Sequence, residues 1–139
     1  MTIDIYTDGG SRGNPGVAGY GVVIYGDNKE VIYQESKFIG TKTNNEAEYS
    51  GVIAALEWVK KNKDNYQISS LNFFADSQLM IRQLQGLYKV KAPTLLPLYA
   101  KSQQLLTQIN LPAKFTDVRR EFNQLADQLA NQAMDNRLK

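Results

Sequence analysis

The stretch Thr43-Asn44-Asn45-Glu46-Ala47-Glu48-Tyr49 decides how this chain folds, because the hydrophobic period changes there. Before it, apolar residues alternate with period two. From it onward Tyr49, Val52, Ile53, Leu56 and Val59 recur at helical spacing through about Lys61. The helix opened in this way carries two carboxylates in its first turns. With Thr43 as N-cap, Thr43-x-x-Glu46 is a capping box that occupies Glu46 with backbone. Glu48, roughly 200° further round at 3.6 residues per turn, is then free to face elsewhere. An N-cap at Asn45 would instead give Glu48 the capping role, and local rules leave the two open.

Upstream, Thr2 to Asp8 alternates Ile3, Ile5 and Thr7 on one face with Asp4, Tyr6 and Asp8 on the other, a strand expected to end at Asp8. Gly9 to Gly16 reads as a loop of glycines and Pro15 whose backbone can approach something closely, and Asp8-Gly9 by itself is turn chemistry. Gly19–Tyr25 and Glu30–Ile39 are further strands joined by the turn Gly26-Asp27-Asn28-Lys29. Downstream, a polar connection from Asn62 to Ser70 leads into a short buried strand, Leu71–Asp76, and a helix from Ser77 to Leu84. A loop Gly86–Pro93, a helix from Leu95 to Ile109, a strand Lys114–Val118 and a helix Asn123–Met134 follow. The order β-β-β-α-β-α-α-β-α predicts an α/β fold. Its five-stranded mixed sheet has the first three strands antiparallel, the last two parallel to the first, and helices against it.

A chain of 139 residues, 42% hydrophobic and 22% charged, is expected to form one soluble domain over 1–139, and no apolar run approaches the eighteen or so residues of a membrane span. The N-terminus opens directly as a strand, without a basic, then apolar, leader, which points to the cytoplasm. There is no cysteine and no histidine. Disulfides, thiolate zinc sites and imidazole chemistry are thereby excluded, and oxygen-rich sites of the kind that remain suit hard cations such as Mg²⁺. The net charge of +2 leaves polyanion binding to a local patch.

Acidic residues lie at Asp8, Glu46, Glu48, Asp76 and Asp127, at strand ends and helix starts. In an open sheet of this order such positions gather at one edge. Each has a local role available, with Asp76 capping the helix after it and Asp127 complementing a helix dipole. Kept together and ionised, these acids need compensating cations, and a pair of divalent ions about 4 Å apart is the standard device of phosphodiester hydrolysis.

Four motifs then occur in order: Thr7-Asp8-Gly9-Gly10-Ser11 with Gly13-Asn14-Pro15-Gly16 and Gly19-Tyr20-Gly21; Thr43-Asn44-Asn45 with Ala47-Glu48-Tyr49 and Ala54-Ala55-Leu56; Asp76-Ser77-Gln78; and Asn123 with Ala126-Asp127 and Leu129-Ala130. Together they resemble the type 1 ribonuclease H family over nearly the whole chain. The resemblance implies a ribonuclease H-like fold and assigns catalysis and metal binding to Asp8, Glu48, Asp76 and Asp127. It is the resemblance that chooses Glu48 over Glu46. It further implies a monomer that hydrolyses the RNA strand of RNA/DNA hybrids with two Mg²⁺ ions, or Mn²⁺, leaving 5′-phosphate and 3′-hydroxyl ends. Asn14, Asn45 and Gln78 match minor-groove readers, with Asn44 and Thr43 as neighbours, Thr43 near a DNA phosphate.

Three departures from the family pattern stand out. Many bacterial members carry a basic, aromatic-bearing protrusion where this chain has Gly86 to Pro93. Here Tyr88, Lys89 and Lys91 are candidates to grip the DNA strand, against a plain solvated loop. A loop histidine that assists turnover is missing, and Arg120 is a candidate to hold the scissile or departing phosphate, against a solvated arginine beside Glu121. This makes the chain similar to the compact members. With no separate hybrid-binding domain before residue 1, affinity is expected to come from this domain. A silent hybrid-binding module and another nuclease of related fold are the alternatives. The retained acids argue against the first, and the Asn44-Asn45 and Asp76-Ser77-Gln78 elements against the second.

Overall fold

A computed structural model describes residues 1–136. The elements run β1 (Thr2–Gly13), β2 (Gly16–Tyr25), β3 (Val31–Lys42), α1 (Asn44–Asn62), β4 (Ser70–Ala75), α2 (Gln78–Leu84), α3 (Leu96–Ile109), β5 (Ala113–Asp117) and α4 (Gln124–Asp135), with one 3₁₀ turn at Arg120–Phe122. The sheet order is β3-β2-β1-β4-β5. Strands β1, β2 and β3 are antiparallel, β4 is parallel to β1, and β5 is parallel to β4. This is the five-stranded mixed sheet that the order of periods predicts.

One face of the sheet buries Ile3, Ile5, Val22, Ile24, Leu71 and Phe73 beneath α1, α2 and α3, which contribute Val52, Leu56, Ile81, Leu105 and Ile109 among others. Phe73 stacks on Phe115 at 5.1 Å between β4 and β5. The other face is covered by α4, whose Ala126 and Leu129 pack on Val23 between Tyr6, Tyr25 and Leu125.

The first strand departs from expectation. It does not end at Asp8, and Gly9 to Gly13 is not loop but continues pairing with β2 down to Gly13 opposite Gly16. Asp8 lies inside the strand opposite Gly21, so its turn-former reading is overturned. The glycines signal close packing here rather than turning. A Cβ on Gly9 would fall 2.3 Å from the Ala47 carbonyl carbon of α1, and one on Gly21 2.3 Å from the Ala126 carbonyl oxygen of α4. Two helices can approach the hairpin from opposite faces only because those side chains are absent.

Pairing of β1 with β4 stops at Tyr6 opposite Phe74. Past that point β1 continues with its β4 side open, and β4 delivers Asp76 one residue beyond its own end. A notch therefore opens between the two parallel strands at their C-terminal ends, where ligands of open α/β sheets bind.

Candidate active site

Each carboxylate reaches this notch from a different element. Asp8 comes from the interior of β1, Asp76 from the end of β4, Glu48 from the second turn of α1, and Asp127 from the fourth residue of α4. Thr43 is the N-cap of α1. Its Oγ1 accepts from Glu46 N at 3.2 Å, and Glu46 Oε1 accepts from Thr43 N at 3.0 Å, closing the capping box. With Glu46 so engaged, Glu48 turns inward. Its Oε1 accepts from Gly9 N at 3.3 Å, a contact that the missing Gly9 side chain permits. Asp76 is not the cap of α2, because Ser77 is, its Oγ accepting from Met80 N at 3.3 Å.

Carboxylate oxygens of Asp8, Glu48 and Asp76 all lie within 4.8 Å of one another, and Asp127 lines the same cleft. The electrostatics follow from burial. Desolvation, the Asp76 charge and a hydrogen bond to Asp127 push the Asp8 carboxyl up to about 8, from an ordinary 3.8. Burial, then the Asp8 and Asp76 charges, also holds Glu48 well above the usual carboxylate range. Without a cation Asp8 and Glu48 thus keep protons they would lose in water. The N-termini of α1, α2 and α4 contribute partial positive charge nearby.

A hard divalent cation fits this donor set. The donors are all carboxylate oxygens, and Glu48 Oε2 is buried with no hydrogen-bond partner, an atom that an ion would satisfy. Asp8, Glu48 and Asp76 are positioned to share it, with Asp127 at the side.

Glu121 pairs with Arg119, at 3.7 Å, rather than with Arg120. The 3₁₀ turn at Arg120–Phe122 instead brings Arg120 Nε to 3.5 Å from Asp76 Oδ2, with its own side chain 80% exposed. Asp76 first, then Asp127 and Asp8, raise the Arg120 pKa still further.

The asparagines form a clasp. Asn44 Oδ1 accepts from Ser11 N at 2.8 Å, and Asn44 N donates to Asn14 Oδ1 at 3.1 Å. Both acceptor oxygens are therefore engaged within the protein, leaving amide N–H groups outward. Asn44 and Asn45 line the cleft, whereas Asn14, Thr43 and Gln78 adjoin its lining residues without belonging to it. Tyr88, Lys89 and Lys91 lie apart from the cleft, exposed on the connection between α2 and α3, which holds neither helix nor strand.

Motif reading gave Asn123 no role. It is 1% exposed, and its Nδ2 donates to the Thr7 carbonyl at 2.9 Å, tying the start of α4 to the residue before Asp8. Its sequence signals are its place in the motif with Ala126-Asp127 and its spacing of one helical turn before Asp127. Arg12 and Asn131 also line the cleft, with no pattern in the sequence that marks either for it.

Residues 6–133 match the family model described as Reverse transcriptase-like. A bifunctional protein of Mycobacterium tuberculosis is 43% identical over 136 residues, which cover 97% of this chain and 36% of that protein. Ribonuclease HI of Halobacterium salinarum is 36% identical over 133 residues, covering 96% of this chain and 64% of its own. The chain thus spans about a third of the length of the mycobacterial relative and less than two thirds of the archaeal one. Among solved structures, LC11-RNase H1, isolated from compost, superposes with a TM-score of 0.92 at 42% identity over 99% of both chains. LC11-RNase H1 has also been solved in complex with an RNA/DNA hybrid. With the fold, the family model and these relatives in agreement, the chain belongs to the type 1 ribonuclease H family.

Proposed function

We propose that this chain is an endonuclease that hydrolyses the RNA strand of RNA/DNA hybrids by two-metal-ion catalysis, leaving 5′-phosphate and 3′-hydroxyl ends. The observation that carries this reading is the convergence of Asp8, Glu48 and Asp76 within 4.8 Å in a cleft shared with Asp127. Mutually repelling acids have no structural reason to be buried together without a cation. Bound Mg²⁺, two ions in the working complex, or Mn²⁺, supplies an activated water and stabilises the leaving oxygen. Asp8 and Asp76, from adjacent parallel strands, would hold the ions, Glu48 would complete one site and hold water near the RNA 2′-hydroxyl, and Asp127 would serve the second. Arg120, permanently charged, leaves Asp76 to hold the scissile or departing phosphate but moves no proton.

The polar rim suits a hybrid read without sequence preference. Asn14 and Asn44 offer donors outward, and every base pair presents acceptors in its minor groove. The side chains of Asn45 and Gln78 make no hydrogen bond among the described residues, so each amide can donate and accept against 2′-hydroxyls and base edges. The Thr43 hydroxyl accepts from Glu46 N, leaving its proton for a DNA phosphate. Tyr88, Lys89 and Lys91 meet the DNA strand further along. A cytoplasmic monomer completes the reading, with residues 1–139 as one catalytic domain, for which the continuous core that joins β1 to α3 is the support. No described helix is long and apolar enough to cross a membrane.

The test is cleavage of labelled RNA/DNA hybrid, DNA duplex and RNA duplex by the chain and its Asp8→Asn variant, with Mg²⁺, Mn²⁺ or EDTA. Metal-dependent cleavage of the hybrid RNA strand, lost in the variant, is expected. Cleavage in EDTA, equal cutting of DNA, or a fully active variant would sink the proposal. Hybrid binding without cleavage in either metal would make the chain a silent binding module.

A further inference from the structure

We infer that Arg12 is a phosphate-binding residue for the strand lying over the carboxylates, held in reserve by Asp135 until a nucleic acid displaces it. The inference rests on the hybrid-nuclease reading of the cleft and adds a contact to it.

Asp8, Gly10 and Arg12 alternate onto one face of β1, so Arg12 continues the row that begins with the catalytic aspartate, about 13 Å further along by strand rise. Gly10 between them carries no side chain, and Met134 Cε of α4 sits over it, 3.2 Å from where a Cβ would lie. Of the residues lining the cleft, the cations are Arg12 and Arg120. Arg120 is engaged with Asp76, inside the acidic cluster. Arg12 is engaged elsewhere, with Asp135 at 2.6 Å, and Asp135 is not part of the cleft lining.

A cleft holding four carboxylates repels a polyanion unless cations at its margin draw the backbone in. A guanidinium suits that task because it pairs with phosphate in bidentate geometry. The pair with Asp135 is well suited to exchange. Both side chains are substantially exposed, 42% and 62%, and such pairs contribute little to stability. Asp135 is also the last residue of α4, where the helix dipole disfavours negative charge, so its own helix does not account for it. Arg12 does. A phosphate entering the cleft offers Arg12 a better partner, and Asp135 returns to solvent.

The sign of two substitutions separates this role from a structural clip between β1 and α4. Binding of a fluorescent RNA/DNA hybrid in EDTA is followed by anisotropy across a salt series, with kcat and KM in Mg²⁺ and a melting curve for each protein. For Arg12→Ala, Kd and KM rise about 3- to 10-fold, kcat changes less than about twofold, and the salt slope falls by about one. Arg12→Lys recovers part of the binding. For Asp135→Asn, Kd and KM fall about 2- to 5-fold, because the competitor for Arg12 is gone. Both variants weakening binding together, in step with lowered melting temperatures, would overturn the inference in favour of the clip. Unchanged binding in Arg12→Ala would overturn it alone, provided the unaltered chain still cuts hybrid. Failure of the unaltered chain to cut or bind hybrid overturns the nuclease reading and this inference with it.

Discussion

The carboxylate cleft and the loop between α2 and α3 are both offered to nucleic acid, and they are built in opposite ways. In the cleft, a capping box directs Glu48, a glycine admits it, Asn123 ties α4 to β1, and Asn44 bonds both Ser11 and Asn14. In the loop, Leu87 N and Tyr88 N both donate to Arg82 O, and Val90 and Ala92 pack on the core. The Tyr88 ring, 53% exposed, and the Lys89 and Lys91 ammoniums make no bond or ion pair among the described residues. Hydrolysis depends on placement to a fraction of an ångström, whereas attraction of phosphate works over several. The difference teaches where substitutions should be costly and where they should be mild.

Glu48→Gln should have the largest effect, because it keeps the volume of Glu48 and removes a proposed metal ligand. Cleavage should fall by more than about a hundredfold, since even partners that merely orient metal ligands are worth about 10- to 100-fold. At pH 8 the metal-free variant should melt at the same temperature or higher, as a buried acid near two others has been removed. The same cluster sets a pH dependence. Asp8 titrates near 8 in the fold and near 3.8 when unfolded, so its contribution to stability is complete below 3.8 and is lost as pH rises towards 8. The melting temperature of the metal-free chain should therefore drop between about pH 5 and 8, and stabilisation by Mg²⁺ or Mn²⁺ should grow over that range. A profile without this decline would mean that Asp8 is ionised without metal, and the cleft would lose its contrast with the loop.

Next in size is Asn123→Ala. It breaks a buried bond to the Thr7 carbonyl and so loosens Asp127 from Asp8 without touching either. A stability cost of about 1–3 kcal/mol is expected, with a loss of about 10- to 100-fold in kcat. Because Asn123 acts on relative placement, half-saturation by Mg²⁺ should shift upward as well. Loss of stability with unchanged kcat and metal dependence would make it a packing residue only. Arg120→Ala should slow turnover about tenfold, as for one charged phosphate contact in a partly exposed site. Its metal dependence should change little. Kinetics identical to those of the parent would show Arg120 to be exposed charge and nothing more.

The elements legible in sequence were those whose signals are local. The capping box could be read because Thr43 and Glu46 meet within one turn, and the order of strands and helices because the hydrophobic period changes at Thr43. The continuation of β1 through Gly9–Gly13 is not legible, because glycine carries no strand signal and the contacts that leave room only for glycine at Gly9 and Gly10 come from Ala47 and Met134, on two helices distant in sequence. Asn123 and Thr7 are likewise far apart in the chain, as are Arg120 and Asp76. Physical rules left Glu46 and Glu48 as alternatives, and the family resemblance chose between them. The geometry supplies a reason, with Glu46 on the backbone and Glu48 against Gly9.

The smallest effect belongs to the loop, and it is the sharpest test of the contrast. With no side-chain partner inside the protein, Lys89 and Lys91 have nothing structural to lose, so Lys89→Ala with Lys91→Ala should leave the melting temperature within error. If the loop meets the DNA strand only through charge, kcat should hold, KM should rise by a few-fold, and the salt slope should fall by up to about two, near one per lysine. Tyr88→Ala, whose exposed ring can stack or rest on sugar, should raise KM without changing the salt slope. A large loss of kcat in the lysine double variant would mean that the loop closes onto the substrate with cleft-like precision, and the two regions would then work as one. No change in KM or slope would leave the loop as solvated chain, with affinity resting on the asparagine rim, Arg120 and Arg12.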